Sequence, residues 1–266
     1  MSHTLKQVLT IAGSDSGGGA GIQADIKAMS ANGVFAMSAI TAITAQNTEE
    51  VTDVLELPLS IIAAQIDAIF DDFDVAAVKT GMLSSPAIVE LVAKMLKPQN
   101  VTNLVVDPVM ISKSGHALLK PDAIDAVKQL LFPLALIVTP NVHEAQQLSG
   151  IAITSLADAK RAAKVIHGFG CKHVLIKGGH LLTERATDVL YDGRFFNILK
   201  GEFIETRHTH GTGCTFASAL AAHLGRGRAV LDAVQAAKSY VTEAIRHSLA
   251  IGHGQGPTDH FYFLER

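Results

Sequence analysis

Short apolar, β-branched runs alternate along the chain with longer stretches of helical period. The runs cover residues 8–12, 37–44, 75–79, 103–107, 135–139 and 173–177, and uniformly apolar runs of this length suit strands buried on both faces. Helical stretches fall between them at 20–31, 59–73, 86–96, 122–131 and 156–168. This alternation predicts a largely parallel sheet covered by helices on both sides, a three-layer α/β/α fold. After Gly179 the rhythm changes. Residues 188–191, 194–199 and 203–206 read as short antiparallel strands, the first two joined through the Asp192-Gly193 turn, and helices follow at 214–224 and 230–249. No repeat, low-complexity tract or Pro-rich linker divides the chain, so residues 1–266 read as a single domain.

In an open parallel sheet, ligands bind beyond the carboxyl ends of the strands. Those ends carry Gly13-Ser14-Asp15, Gln46-Asn47, Gly81-Met82, Asp107-Pro108-Val109-Met110, Asn141 with Glu144, and Gly178-Gly179. Any one of them is explained by turn formation alone, but six coinciding ends point to a site. The loop Ser16-Gly17-Gly18-Gly19-Ala20-Gly21 joins a buried strand to a helix, and its glycines let backbone approach a substrate closely. Asp25, one turn into that helix, reads either as a dipole-favoured acid or as a hydrogen-bond acceptor for substrate. A second glycine loop, Gly211-Thr212-Gly213-Cys214, opens an Ala-rich helix, where successive N–H groups form an anion cradle or else an ordinary tight turn. Asp107 and Glu144 together offer carboxylates for Mg2+ that is shared with substrate phosphates. Lys177 reads as a phosphate partner or as a solvated strand-end lysine.

Composition narrows the function classes. Hydrophobic residues make up 48% and charged residues 18%, which excludes disorder and a charged tail. Twenty-two Lys and Arg against 25 Asp and Glu give a net charge of -3, with no surplus for nucleic acid or an anionic membrane. No apolar run approaches the ~20 residues of a spanning helix, and the polar start lacks a secretory pattern, so a cytoplasmic protein is expected. Cys171 and Cys214 are too few and too far apart for a disulfide framework or a zinc site, and a P-loop pattern is absent. His210 stands out among the twelve histidines because it lies four residues before Cys214.

Taken together, Ala12-Gly13-Ser14-Asp15, Gly18-Gly19-Ala20-Gly21-Ile22-Gln23-Ala24-Asp25, Thr44-Ala45-Gln46-Asn47-Thr48, Lys79-Thr80-Gly81-Met82, Asp107-Pro108-Val109-Met110, Thr139-Pro140-Asn141, Lys177-Gly178-Gly179-His180 and Thr209-His210-Gly211-Thr212-Gly213-Cys214-Thr215 closely resemble the hydroxymethylpyrimidine/phosphomethylpyrimidine kinase family of the ribokinase-like fold. That resemblance implies an ATP- and Mg2+-dependent enzyme of thiamine biosynthesis. It would phosphorylate 4-amino-5-hydroxymethyl-2-methylpyrimidine and then its monophosphate, and would work as a homodimer. It further implies that Gln46 pairs with the pyrimidine edge, with Gly13, Ala20, Asp25, Thr44, Met82 and Val109 around the ring. Asn141, Glu144, Lys177 and Gly213 would handle ATP, Asp107 and Glu144 the metal, and His210, Gly211, Thr212, Gly213 and Cys214 the chemistry. Cys214 stands where the wider superfamily carries a catalytic Asp; a thiol at a helix N-terminus is expected to ionise below its usual pH. Ser16-Gly17 departs from the family's Pro followed by Ser or Thr. A pyridoxal kinase of the same fold is the nearest rival, and a catalytically silent pyrimidine-binding module a more distant one. Gln46 favours pyrimidine, because an amide offers donor and acceptor to an aminopyrimidine edge. Met110, where some pyridoxal kinases use a second cysteine, leans the same way.

Overall fold

The computed structural model describes residues 5–110, 121–179 and 185–265, which leaves His180 of the Lys177-Gly178-Gly179-His180 motif outside. Nine strands form one sheet: β1 (Gln7–Asp15), β2 (Phe35–Gln46), β3 (Val51–Glu56), β4 (Val75–Thr80), β5 (Leu104–Val106), β6 (Ile137–Val138), β7 (His173–Ile176), β8 (Asp188–Tyr191) and β9 (Phe196–Leu199). Their spatial order is β3-β2-β1-β4-β5-β6-β7-β8-β9. The six strands from β2 to β7 across the middle pair in parallel, and β3, β8 and β9 join antiparallel at the two margins.

Successive side chains of a strand point to opposite faces, and the core divides accordingly. Leu9, Val78, Val106, Val138 and Val174 join α2 (Leu59–Asp72), α3 (Pro86–Leu96), α4 (Pro121–Ala126), α5 (Val142–Ser149) and α6 (Leu156–His167) in one apolar cluster. Their neighbours Val8, Ala77, Val105, Ile137 and Leu175 join α1 (Gly21–Ala31), α7 (Thr212–Gly225) and α8 (Val230–Arg246) in the other. These are the three layers that the alternating pattern predicts. α7 is packed deep: every residue from Thr215 to Gly225 is buried, and a Cβ on Gly225 would stand 3.0 Å from Val8. Its small side chains let the helix lie close against the sheet.

Several elements differ from expectation. Residues 203–206 form no strand; Phe203 stays 43% exposed, off the ladder that ends at β9. β3, an exposed edge strand with only Val51 buried, lacks the apolar run that marks a central strand. The expected helix at 122–131 is α-helical only to Ala126 and continues as one π-helical turn over Val127–Leu131. α5 is too short and too polar to show a helical period; its signature is the Asn-x-x-Glu capping box at its start.

Candidate active site

A cavity of about 420 Å³ opens beyond the carboxyl ends of the parallel strands. Its wall contains Gly13, Ala20, Thr44, Gln46, Met82 and Val109 at one end, and Asp107, Asn141, Glu144 and Lys177 at the other. His210, Gly211, Thr212, Gly213 and Cys214 line the same cavity, so residues far apart in sequence share one hollow. The register of β1 shifts between Ala12 and Ser14, a bulge at Gly13 that turns the chain toward the cavity.

The end at Gly13 and Gln46 is organised by one carboxylate. Asp15 Oδ1 accepts the Gly17 N–H at 2.8 Å, and Oδ2 accepts those of Gly19 at 3.1 Å and Ala20 at 2.8 Å. His210 Nε2 lies 2.9 Å from the same Oδ2, tying the first glycine loop to the second. Burial opposes the Asp15 charge, but His210 and the backbone donors outweigh it and hold the carboxyl below its ordinary value. The two loops interlock tightly: Gly211 has φ +76°, and a Cβ there would stand 1.7 Å from the Gly19 carbonyl oxygen. Only glycine fits that crossing. The His210 N–H donates to Gly256 O, so the second loop is also pinned to the chain's last segment.

Beneath the floor lies a closed ionic knot. Lys79, fully buried on β4, donates to both Asp25 oxygens at 2.8 and 2.9 Å. Thr10 Oγ1 and Ser218 Oγ donate to the same carboxylate at 2.6 and 2.7 Å. Asp25 therefore lies under the floor with its oxygens spent on the scaffold, where the sequence suggested a substrate contact or a first-turn acid. The cavity meets this pair through Lys79. Burial works against the Lys79 charge, and Asp25, then Cys214 and Asp107, more than offset it.

Cys214 sits in the first turn of α7, half-buried, with its sulfur within reach of the Gly21 N–H. Burial pushes its thiol up to about 11, reinforced by Asp25 and Asp107 and opposed by Lys79 and the Gly21 N–H. Contrary to the lowered value expected of a helix-start thiol, desolvation prevails over the helix end.

At the opposite end Lys177 Nζ donates to Asp107 Oδ1 at 3.0 Å, and Thr139 Oγ1 donates to the same oxygen at 2.9 Å. Asn141 caps α5 by accepting the Glu144 N–H at 2.9 Å, while Glu144 Oε2 accepts the Asn141 N–H at 2.8 Å. Burial pushes the Glu144 carboxyl up to about 7; Lys177 opposes this and Asp107 adds to it. Lys177 in turn stays protonated against its burial because Asp107 and Glu144 flank it. Two carboxylates beside one lysine form an all-oxygen donor set short of positive charge, which suits a hard cation such as Mg2+. Among the described residues no group of three or more His, Cys, Asp or Glu is placed to hold a metal alone, so nucleotide oxygens would have to complete that set.

Every site residue expected from sequence lines this cavity except Asp25. Lys79, like Asp15, lines the cavity without a role in the sequence reading. Its signal is a lysine inside an otherwise apolar strand, which needs a buried partner.

A three-layer fold whose cavity joins an amide-bearing end to a glycine turn at a helix start and an acidic pair defines a small-molecule kinase of the ribokinase-like fold. Residues 15–259 match the family model described as phosphomethylpyrimidine kinase, and the chain belongs to that family. It is a phosphotransferase. It is 50% identical over 264 residues to the hydroxymethylpyrimidine/phosphomethylpyrimidine kinase of Haemophilus influenzae, covering 97% of this chain and 98% of that one. A solved phosphomethylpyrimidine kinase from Clostridium difficile is 49% identical with a TM-score of 0.81, covering 90% of this chain and 99% of that one. The ADP complex of Bacillus subtilis pyridoxal kinase is 43% identical with a TM-score of 0.91, covering 97% and 98%. Among the described residues no helix is long and apolar enough to cross a membrane.

Proposed function

We propose that this chain uses ATP to phosphorylate 4-amino-5-hydroxymethyl-2-methylpyrimidine, and then its monophosphate, to the diphosphate used in thiamine biosynthesis. The observation that carries this reading is that Gln46 and the Gly211-Thr212-Gly213-Cys214 turn line one cavity. The Gln46 amide pairs with the aminopyrimidine edge while Gly13, Ala20, Thr44, Met82 and Val109 enclose the ring. Asn141, Lys177 and Gly213 meet the nucleotide; Lys177 Nζ would lie only 3.5 Å from a Cβ on Gly213, so both face the same phosphate position.

In the first step the substrate hydroxyl passes its proton to the thiolate form of Cys214, a minor species at neutral pH that Lys79 and the Gly21 N–H favour against burial, as its oxygen attacks the γ-phosphorus and the bond to the ADP oxygen breaks. Backbone N–H groups at the start of α7 face the charge that grows on the transferring phosphoryl oxygens. Asp107 and Glu144 would hold Mg2+, which when bound neutralises phosphate charge. In the second step the nucleophile is already a phosphate, whose second pKa near 6 leaves it ionised at neutral pH, so no base is required. The nine-stranded sheet supports reading the chain as one kinase domain. A cytoplasmic homodimer belongs to the same reading. Ile43 and Leu55, opposed in register and 46% and 64% exposed on the β2–β3 edge, support an apolar contact between copies.

The fit to the pyridoxal kinase of Bacillus subtilis favours one second reading, phosphorylation of pyridoxal. Coupled-enzyme assay of ADP release with Mg2+ and each ring alcohol separates the two. A higher kcat/KM for the aminopyrimidine is expected, and a pyridoxal advantage would reverse the assignment.

A further inference from the structure

The side chain of Gln46 has two ends, and the protons around it decide which end is which. Its backbone is fixed: the Gln46 N–H donates to Ser16 Oγ at 2.8 Å, and Ser16 Oγ donates back to Gln46 O at 2.7 Å. Its amide stands with Oε1 3.1 Å from Thr44 Oγ1 and Nε2 3.4 Å from His210 Nε2. Thr44 has a single hydroxyl proton, and its Oγ1 also lies 2.9 Å from the Ser14 carbonyl oxygen, which can only accept. With that proton committed to Ser14, Thr44 Oγ1 turns a lone pair to Gln46 and asks for a donor. At the other end, Asp15 already accepts three backbone N–H groups on its two oxygens, so it is an ionised carboxylate and His210 Nε2 must donate to it. A protonated ring nitrogen cannot accept from an amide NH2, whether the imidazole is neutral or charged. Both ends therefore ask for the same reversal, since amide oxygen and nitrogen interchange by a half-turn with little change of shape.

We infer that Thr44 and His210 are positioning residues that hold the Gln46 amide with Nε2 toward Thr44 and Oε1 toward His210, and thereby set the direction in which the pyrimidine ring is bound. This rests on the proposed pyrimidine kinase reading and extends it. An aminopyrimidine presents a ring nitrogen that accepts and, beside it, an amino group that donates. The oriented amide places the ring nitrogen on the Thr44 side and the amino group on the His210 side. The hydroxymethyl carbon is attached next to the carbon bearing the amino group, on the side away from the ring nitrogen. The reacting oxygen is thus directed toward the loop that runs from His210 to Cys214. The opposite amide orientation would seat the ring the other way round, with that oxygen away from Cys214.

The test compares two substrates that differ only in this edge: the 4-amino alcohol and its 4-oxo analogue, whose ring N–H donates and whose carbonyl accepts. Thr44→Val keeps the shape and removes the hydroxyl that selects the amide orientation; Thr44→Ser retains it. The ratio of kcat/KM for amino over oxo substrate is expected to fall about tenfold in Thr44→Val and to stay within about twofold of the unaltered enzyme in Thr44→Ser. Thr44→Val lowering both substrates equally, with the ratio unmoved, would show a merely structural hydroxyl and overturn the inference. Loss of the ratio in Thr44→Ser as well would also overturn it. Absence of ADP release by the unaltered enzyme with the amino alcohol would instead overturn the kinase reading itself, and the inference with it.

Discussion

The two ends of the cavity are each built around a carboxylate, and the two carboxylates are in opposite condition. Asp15 at the ring end receives three backbone N–H groups and His210, and its carboxyl is held below the ordinary value. Glu144 at the phosphate end receives its own cap N–H but faces Asp107 across Lys177, and burial with Asp107 holds it high. The ring end is electrostatically complete as folded. The end at Asp107 and Glu144 is short of positive charge, a deficit that a bound Mg2+ would remove. A site can thus be rigid where it must recognise and unsatisfied where it must turn over.

The largest effect is expected at Asp15. Asp15→Ala orphans the N–H groups of Gly17, Gly19 and Ala20 and the donor of His210, and is expected to lower unfolding free energy by roughly 3 kcal/mol, read from a shifted urea midpoint. A change within error would show that the loop needs no such anchor. Glu144→Gln keeps an acceptor for the Asn141 N–H while removing charge. Stability should hold, while ATP-dependent kcat/KM falls on the order of a hundredfold, equivalent to about 2.7 kcal/mol. Parallel losses of stability and activity would make Glu144 a scaffold residue.

The smallest effect is one of pH, and its sign differs between the ends. The folded value of Asp15 lies below 3.8, so its contribution is present above pH 3.8 and is lost as pH falls through the folded value. Glu144 is raised from 4.5 to about 7, so the stability its protonated form contributes is full below 4.5 and lost as pH rises through about 7. Without Mg2+ or nucleotide, the Tm of the unaltered protein relative to Glu144→Gln should fall by a few degrees between pH 5 and pH 8. A flat difference would place Glu144 in an ordinary solvated setting.

Much of this is legible in the amino-acid sequence. Strands buried on both faces leave continuous apolar runs, so six strands and the layered class can be read from pattern, and β8 and β9 from the Asp192-Gly193 turn between them. β3 could not, because an edge strand buries too little to leave a run. Residues 203–206 carry strand-like side chains but find no neighbouring strand to pair with. Strand ends located the cavity, because the sheet's topology brings them to one side whatever their sequence separation. Burial was hidden: a helix-start thiol reads as acidic until the desolvation around Cys214 is known. Asp25 reads as a ligand until Lys79, 54 positions away, is seen to occupy it.

If one cavity performs both phosphorylations, the two steps differ in whether a proton must be removed. Steady-state kinetics of Cys214→Ala with the alcohol and with its monophosphate address it most directly. The kcat/KM for the alcohol is expected to drop by about 10²–10⁴, the range of a lost general base, while that for the monophosphate changes less than about tenfold. Equal losses on the two substrates would contradict it.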